Sequence, residues 1–163
     1  MERQCILGID PGLHITGYGI IEIAAGQTPR LMTYGHIRTN SKKSLAERLQ
    51  KIYTGLTEVI EKYRPGMAAI ESIFYADNVK TAIVMGHARG AAILAAVNSG
   101  AKISEYSPRE IKMSVVGSGG AGKSQVSFMV RSILKLREQI EPDDASDALA
   151  AALCHWNRMR IVR

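Results

Sequence analysis

At 163 residues, 46% of them hydrophobic and 22% charged, the chain has an ordinary globular composition and the length for one domain, 1–163, whose core needs no staples. Lys and Arg number 21 against 15 Asp and Glu, a net charge of +6, which suits a polyanionic partner as readily as it suits solubility. Cys5 and Cys154 make neither a disulfide framework nor a zinc pattern, Met1-Glu2-Arg3-Gln4 has the wrong character for a signal peptide, and the longest apolar run, Ala91 to Val97, is too short for a bilayer; two buried thiols in a reducing cytoplasm are expected.

The first element is an apolar strand from Cys5 to Ile9 that closes on Asp10, after which Pro11-Gly12 forces a turn. Asp10 is the one charge in this run. It must face solvent, meet a cation, or bear a burial cost on the order of several kcal/mol. Gly12 removes a side chain beside it, which lets a phosphate or a metal come close. Asp-Pro-Gly is also common turn chemistry, so Asp10 alone decides nothing. Ile15 to Ile23 reads as a second strand and Leu31 to about Ile37 as a third, giving an antiparallel meander. Gly17 and Gly19 weaken the strand that faces Asp10, and close approach by a ligand or a neighbouring element is one reason to keep them.

After the polar linker Thr39 to Lys43, Ser44 and Glu47 form a capping box ahead of a helix with Leu45, Leu49, Ile52, Leu56, Val59, Ile60 and Tyr63 on one stripe. Pro65-Gly66 ends it. Met67 to Ile73 then reads as a buried, parallel strand delivering Glu71 at its carboxyl end, where open α/β sheets bind ligands. Phe74 and Tyr75 follow in a loop. Two aromatics beside an acid suit stacking on a base, whereas one would be packing. From about Asn78 to Asn98 a helix rich in small residues can pack closely on its own sheet, with a second face left for a partner subunit. Lys102 to Tyr106 is the final short strand.

Gly117 to Ser124 matches G-x-x-x-x-G-K-[ST], the phosphate-cradling loop of ATPases. That loop needs a strand before it. Here Ser107 and Glu110 form a second capping box with Pro108 at the first helical position, and Ile111, Val115 and Val116 share a face. Gly117 is therefore expected to end a helix, which makes a P-loop-type ATPase the minority reading. Lys123 still suits a nucleic-acid phosphate. The helix that follows carries Val126, Met129, Val130, Ile133 and Leu134 at helical spacing.

The last helix opens at Pro142-Asp143-Asp144-Ala145-Ser146-Asp147, with Asp144 and Asp147 on one face. Acids in a first turn ordinarily complement the helix dipole, and Asp143 needs no other role. Asp10, Glu71, Asp144 and Asp147 together supply hard oxygen donors from two strands and a helix. Crowded carboxylates repel unless divalent cations neutralise them, and Mg²⁺ prefers such ligands. Two ions roughly 3.5–4 Å apart can activate a water and stabilise a departing oxygen, the chemistry of phosphodiester hydrolysis. His14, His36, His87 and His155 show no metal-binding spacing.

Across nearly its whole length the chain resembles the RuvC family of crossover-junction (Holliday junction) endodeoxyribonucleases. The resemblance rests on Leu7-Gly8-Ile9-Asp10-Pro11-Gly12 with Thr16-Gly17-Tyr18-Gly19, and on Ile70-Glu71 followed by Phe74. It continues through Gly86-His87-Ala88-Arg89-Gly90, Val115-Val116-Gly117 leading to Lys123-Ser124-Gln125-Val126, and Asp144-Ala145-Ser146-Asp147-Ala148-Leu149-Ala150. It implies an α/β, ribonuclease H-like fold with a mixed five-stranded sheet flanked by helices. It further implies a cytoplasmic homodimer that binds four-way DNA junctions in recombination and repair, nicking two strands symmetrically with Mg²⁺ or Mn²⁺, two ions per site. Asp10, Glu71, Asp144 and Asp147 match the family's metal-binding acids, with Asp144 chosen over Asp143 by its spacing to Asp147. Phe74 matches an aromatic that disturbs pairing near the crossover, and Lys112 and Lys123 match basic residues near the scissile region. The helix holding Gly86 and Gly90 is expected to face its twin, and a branch-migration helicase complex is the expected further partner. The end after the last helix, Arg158 to Arg163, is short for a tail that adds DNA contacts. A non-cutting junction-binding module stands as a further alternative to the nuclease.

Overall fold

The computed structural model describes residues 4–72 and 78–161, the last by its backbone alone. Strands β1 (Gln4–Asp10), β2 (Ile15–Ile23) and β3 (Arg30–Arg38) form the expected antiparallel meander. β3 runs one residue further at each end than its apolar pattern suggests. Backbone pairing is blind to side-chain polarity, and Arg30 gains an ion pair with Glu22 across the ladder, at 3.1 Å.

Helix α1 (Leu45–Tyr63) begins at the Ser44 capping box, in which Ser44 Oγ accepts the Glu47 N–H and the Glu47 carboxylate accepts the Ser44 N–H. β4 (Met67–Glu71) follows, then α2 (Val79–Asn98) and β5 (Lys102–Tyr106). The last three helices are α3 (Pro108–Val116), α4 (Lys123–Leu134) and α5 (Asp143–Ile161). The five strands lie in the order β3-β2-β1-β4-β5, with β1, β4 and β5 parallel. This is the mixed sheet expected from the sequence. β4 ends at Glu71, and Ile73 lies outside the described residues.

Period-two alternation assigns each strand's residues to two layers. Leu7, Ile9, Ile20, Ala68 and Ile70 face α1 and α2, while Ile6, Ile21 and Ala69 face α5. α3 and α4 pack outside α5, so that helix is covered on both sides. Ala145 and every residue from Ala148 to Cys154 are at most 1% exposed. Small side chains suit that place, because Ala148, Ala151 and Ala152 let the helix axis approach the sheet. Cys154 is buried as expected, but Cys5 is only partly so, because it lies near the start of β1 where the sheet meets solvent. Among the described residues no helix is long and apolar enough to cross a membrane.

Candidate active site

Asp10 and Glu71 end neighbouring parallel strands, β1 and β4. By alternation, Asp10 shares a face with Ile6, and Glu71 shares one with Ala69. Both therefore sit on the side covered by α5. The first turns of α5 come to the same edge because two glycines leave room for them. Asp10 pairs with Gly17 in the β1–β2 ladder, and a methyl group on Gly17 would overlap the main-chain carbonyl of Asp144. One on Gly8 would overlap the carbonyl of Ala148, one turn further along. The glycines suspected of permitting a close approach thus admit a neighbouring helix, and that helix brings Asp144 and Asp147.

The four acids act on one another. Burial, followed by the charges of Glu71, Asp147 and Asp144, pushes the Asp10 carboxyl up to about 8, with Lys123 opposing. Glu71 is also raised, by burial and then by Asp147, while Lys123 and Lys112 pull it down. Burial raises Asp147 as well, with Lys123 working against it. Asp143 stands exposed, Asp144 partly buried. That difference agrees with choosing Asp144 as the donor, although Asp143 still adds to the field at Asp147.

Two cations border the acids. Lys123, the first residue of α4, holds its Nζ 3.7 Å from Asp147 Oδ2, and the neighbouring carboxylates raise its own pKa, Asp147 foremost. Lys112 on α3 lines a cleft of about 150 Å³ with Glu71, Lys123, Asp147 and the apolar side chains of Ile111 and Val126. The α3–α4 connection is not a nucleotide-binding loop. α3 ends on Gly117 in the left-handed conformation (φ 85°), whose N–H donates to the Met113 carbonyl, so the strand a phosphate loop requires is replaced by a helix.

The donor chemistry fits a hard divalent cation: oxygen ligands only, with three of the four acids holding protons more tightly than usual, first because they are buried and then because they face one another. As the side chains are placed, no three His, Cys, Asp or Glu among the described residues form a closed metal-holding group. The arrangement is a set of mutually repelling carboxylates with Lys123 at its margin, not a finished cage. Phe74 and Tyr75 lie outside the described residues. One contact at this edge has no signal in residue spacing: Arg89 Nε of α2 donates to the main-chain carbonyl of Glu71. The only hint is that Pro11 cannot supply an N–H there.

Comparison with known proteins shows which family the chain resembles. Residues 6–155 match the family model described as crossover junction endodeoxyribonuclease RuvC. A protein of that name from Geobacter sulfurreducens is 51% identical over 152 residues, 93% of this chain and 92% of its own. Another, from Halorhodospira halophila, is 50% identical over 150 residues, 92% of this chain and 88% of its own. Among solved structures, RuvC of T. thermophilus in complex with a Holliday junction substrate superposes with a TM-score of 0.92 at 33% identity, covering 98% of this chain and 96% of that one. With its fold in common with such a structure, half its sequence shared with such relatives and the family model matched over residues 6–155, the chain belongs to the RuvC family of crossover junction endodeoxyribonucleases.

Proposed function

We propose that this protein resolves four-way DNA junctions in recombination and repair, cutting two strands by paired symmetric nicks through metal-assisted phosphodiester hydrolysis. The observation that carries the reading is the meeting of Asp10, Glu71, Asp144 and Asp147 at one sheet edge, each within the electrostatic reach of others. Those four would hold Mg²⁺, with Mn²⁺ as a substitute, two ions to a site. Bound there, the ions supply water activation and charge neutralisation at the phosphate.

The chain's own residues do the remaining work. Asp10 and Glu71 hold donors at fixed strand ends, and α5 fixes Asp144 and Asp147 through a buried helix. Lys112 and Lys123 sit beside the acids, where each can pair with a non-bridging phosphate oxygen. Lys123, now 3.7 Å from Asp147 Oδ2, would be available to a DNA phosphate were that carboxylate to serve a cation. Phe74, next to this edge in sequence, is assigned to disturbing base pairing at the crossover.

A homodimer built through α2 fits the exposed apolar residues Ile83, Leu94 and Val97, and the open space beside Gly86 and Gly90. Such a dimer would present two sites to two strands of one junction. A branch-migration helicase complex as partner and action in the cytoplasm belong to the same reading. Incubating the protein with a four-way junction and with a linear duplex of the same arms, in Mg²⁺ or in EDTA, tests it. Paired nicks in the junction alone, and only with Mg²⁺, are the expected result. Junction binding without scission in either Mg²⁺ or Mn²⁺ would instead identify a non-cutting module.

A further inference from the structure

The last paired residues of the parallel β1–β4 ladder are Ile9 and Ile70. At the next step the Ser72 N–H donates toward β5, to the Tyr106 carbonyl at 2.8 Å, so the Glu71 carbonyl across the same peptide points the other way, toward β1. In this register a continuing parallel ladder would satisfy that carbonyl with the N–H of residue 11. Residue 11 is Pro11, which has none. A strand end carrying a site carboxylate is thus left without its neighbour's support.

Arg89 fills the gap. Its Nε donates to the Glu71 carbonyl at 3.4 Å, a long hydrogen bond. Its Nη2 stands 2.8 Å from Glu105 Oε2, as a close ion pair and not an aligned hydrogen bond. Glu105 lies on β5 beside Ile70 of β4, so the guanidinium ties α2 to the two strands flanking the end of the sheet. Arg89 is mostly buried, at 19% side-chain exposure, and approaches from α2, whose buried residues pack on the face opposite α5.

We infer that Arg89 is a positioning residue for Glu71: it supplies the donor that Pro11 withholds, Glu105 holds its guanidinium, and together they fix how the Glu71 carboxylate faces Asp10 and Asp147. The inference rests on the reading of Glu71 as a metal ligand. A Lys at this position would keep the charge but lose the planar fork that serves carbonyl and carboxylate at once. Residues that orient metal ligands from behind typically change metal affinity or activity by about 10–100-fold when removed.

The experiment is a Mn²⁺ titration of the full-length protein without DNA, followed by the Mn²⁺ paramagnetic resonance signal, on the parent, Arg89→Ala and Arg89→Lys. Melting temperature, junction affinity in EDTA and single-turnover cutting are measured on the same samples. In Arg89→Ala the Mn²⁺ half-saturation should rise roughly tenfold, and cutting should slow by a similar factor and recover at high Mn²⁺. Junction affinity should stay within about twofold and the fold should remain intact, with Arg89→Lys falling between. Unchanged Mn²⁺ binding in Arg89→Ala overturns the inference. So does a loss that merely tracks a lowered melting temperature and is fully restored by Lys. Should Arg89→Ala not fold, Arg89→Lys is held to the same criteria. A parent that binds Mn²⁺ but cuts no junction overturns the proposed function alone, and a parent that binds no Mn²⁺ overturns both.

Discussion

Gly17 of β2 lies directly beneath the first turn of α5, with no room for a methyl group between it and the Asp144 carbonyl. Because Gly17 is also the ladder partner of Asp10, one glycine adjoins a strand acid within the sheet and a helix acid in the layer above it. The distance between a strand acid and a helix acid is therefore set by a missing side chain. Gly17→Ala should lift the first turn of α5, destabilise the fold by about 1–3 kcal/mol or more, and slow cutting by roughly a hundredfold. Denaturant unfolding together with single-turnover cleavage measures both. Wild-type cutting in a folded Gly17→Ala protein would show that the helix need not lie so close.

Asp10→Asn and Glu71→Gln keep the shape of each side chain and remove its charge. Each should lower nicking by roughly a thousandfold or more while junction affinity in EDTA survives or improves, since repulsion between acid and phosphate is relieved. Gel-shift and cleavage assays on the same protein separate the two effects. Near-parental rates in both variants would sink the metal assignment.

Lys123→Ala should slow cutting by roughly ten- to a hundredfold, with no ATP turnover to lose. It should also lower the charge opposing the acids, raising the Asp10 and Glu71 pKa values further. A colorimetric phosphate-release assay settles the nucleotide question. ATP hydrolysis that disappears in Lys123→Ala would revive the phosphate-loop reading despite the helix that precedes Gly117.

The raised acids give a pH dependence of definite sign. Asp10 is lifted from 3.8 to about 8, so between those values the folded protein keeps a proton that the unfolded chain has lost. Metal-free stability should therefore fall from about pH 4 to about pH 8 and level off above, with Glu71 and Asp147 acting in the same direction. Divalent cations compete with those protons. Cutting at limiting Mg²⁺ should rise with pH up to about 8, and its midpoint should move to lower pH as Mg²⁺ is raised. Melting curves across this range with EDTA and with Mg²⁺ check the first statement, and rate profiles check the second. A metal-free melting temperature that climbs across the same interval would contradict it.

Much of this site was legible in the sequence because its signals are local. A charge closing an apolar run marks Asp10 and Glu71, and i,i+3 spacing marks Asp144 and Asp147. The Ser107–Glu110 capping box was enough to set the glycine-rich loop after a helix, which is how Gly117 stands. Long-range complementarity was not legible. Nothing in the pattern around Gly8 or Gly17 says which element presses on them, since a bare strand glycine fits a ligand as well as a helix. The Arg89–Glu71 contact escaped for a similar reason: it depends on a ladder register that only the paired strands define. Cys5 is only partly buried where its apolar strand predicts full burial, because such a pattern does not reveal how near the sheet's margin the strand begins.

The seven-residue stretch Ala148–Cys154, enclosed on every side, has a consequence for when the protein is dangerous to DNA. With sheet below and two helices above, the amides of this stretch should exchange with deuterated solvent only when the whole molecule unfolds, slower than those of α1, one side of which faces solvent. Half the acids precede that inner rod on the same helix, so a chain in which α5 had not docked would lack a complete acid set.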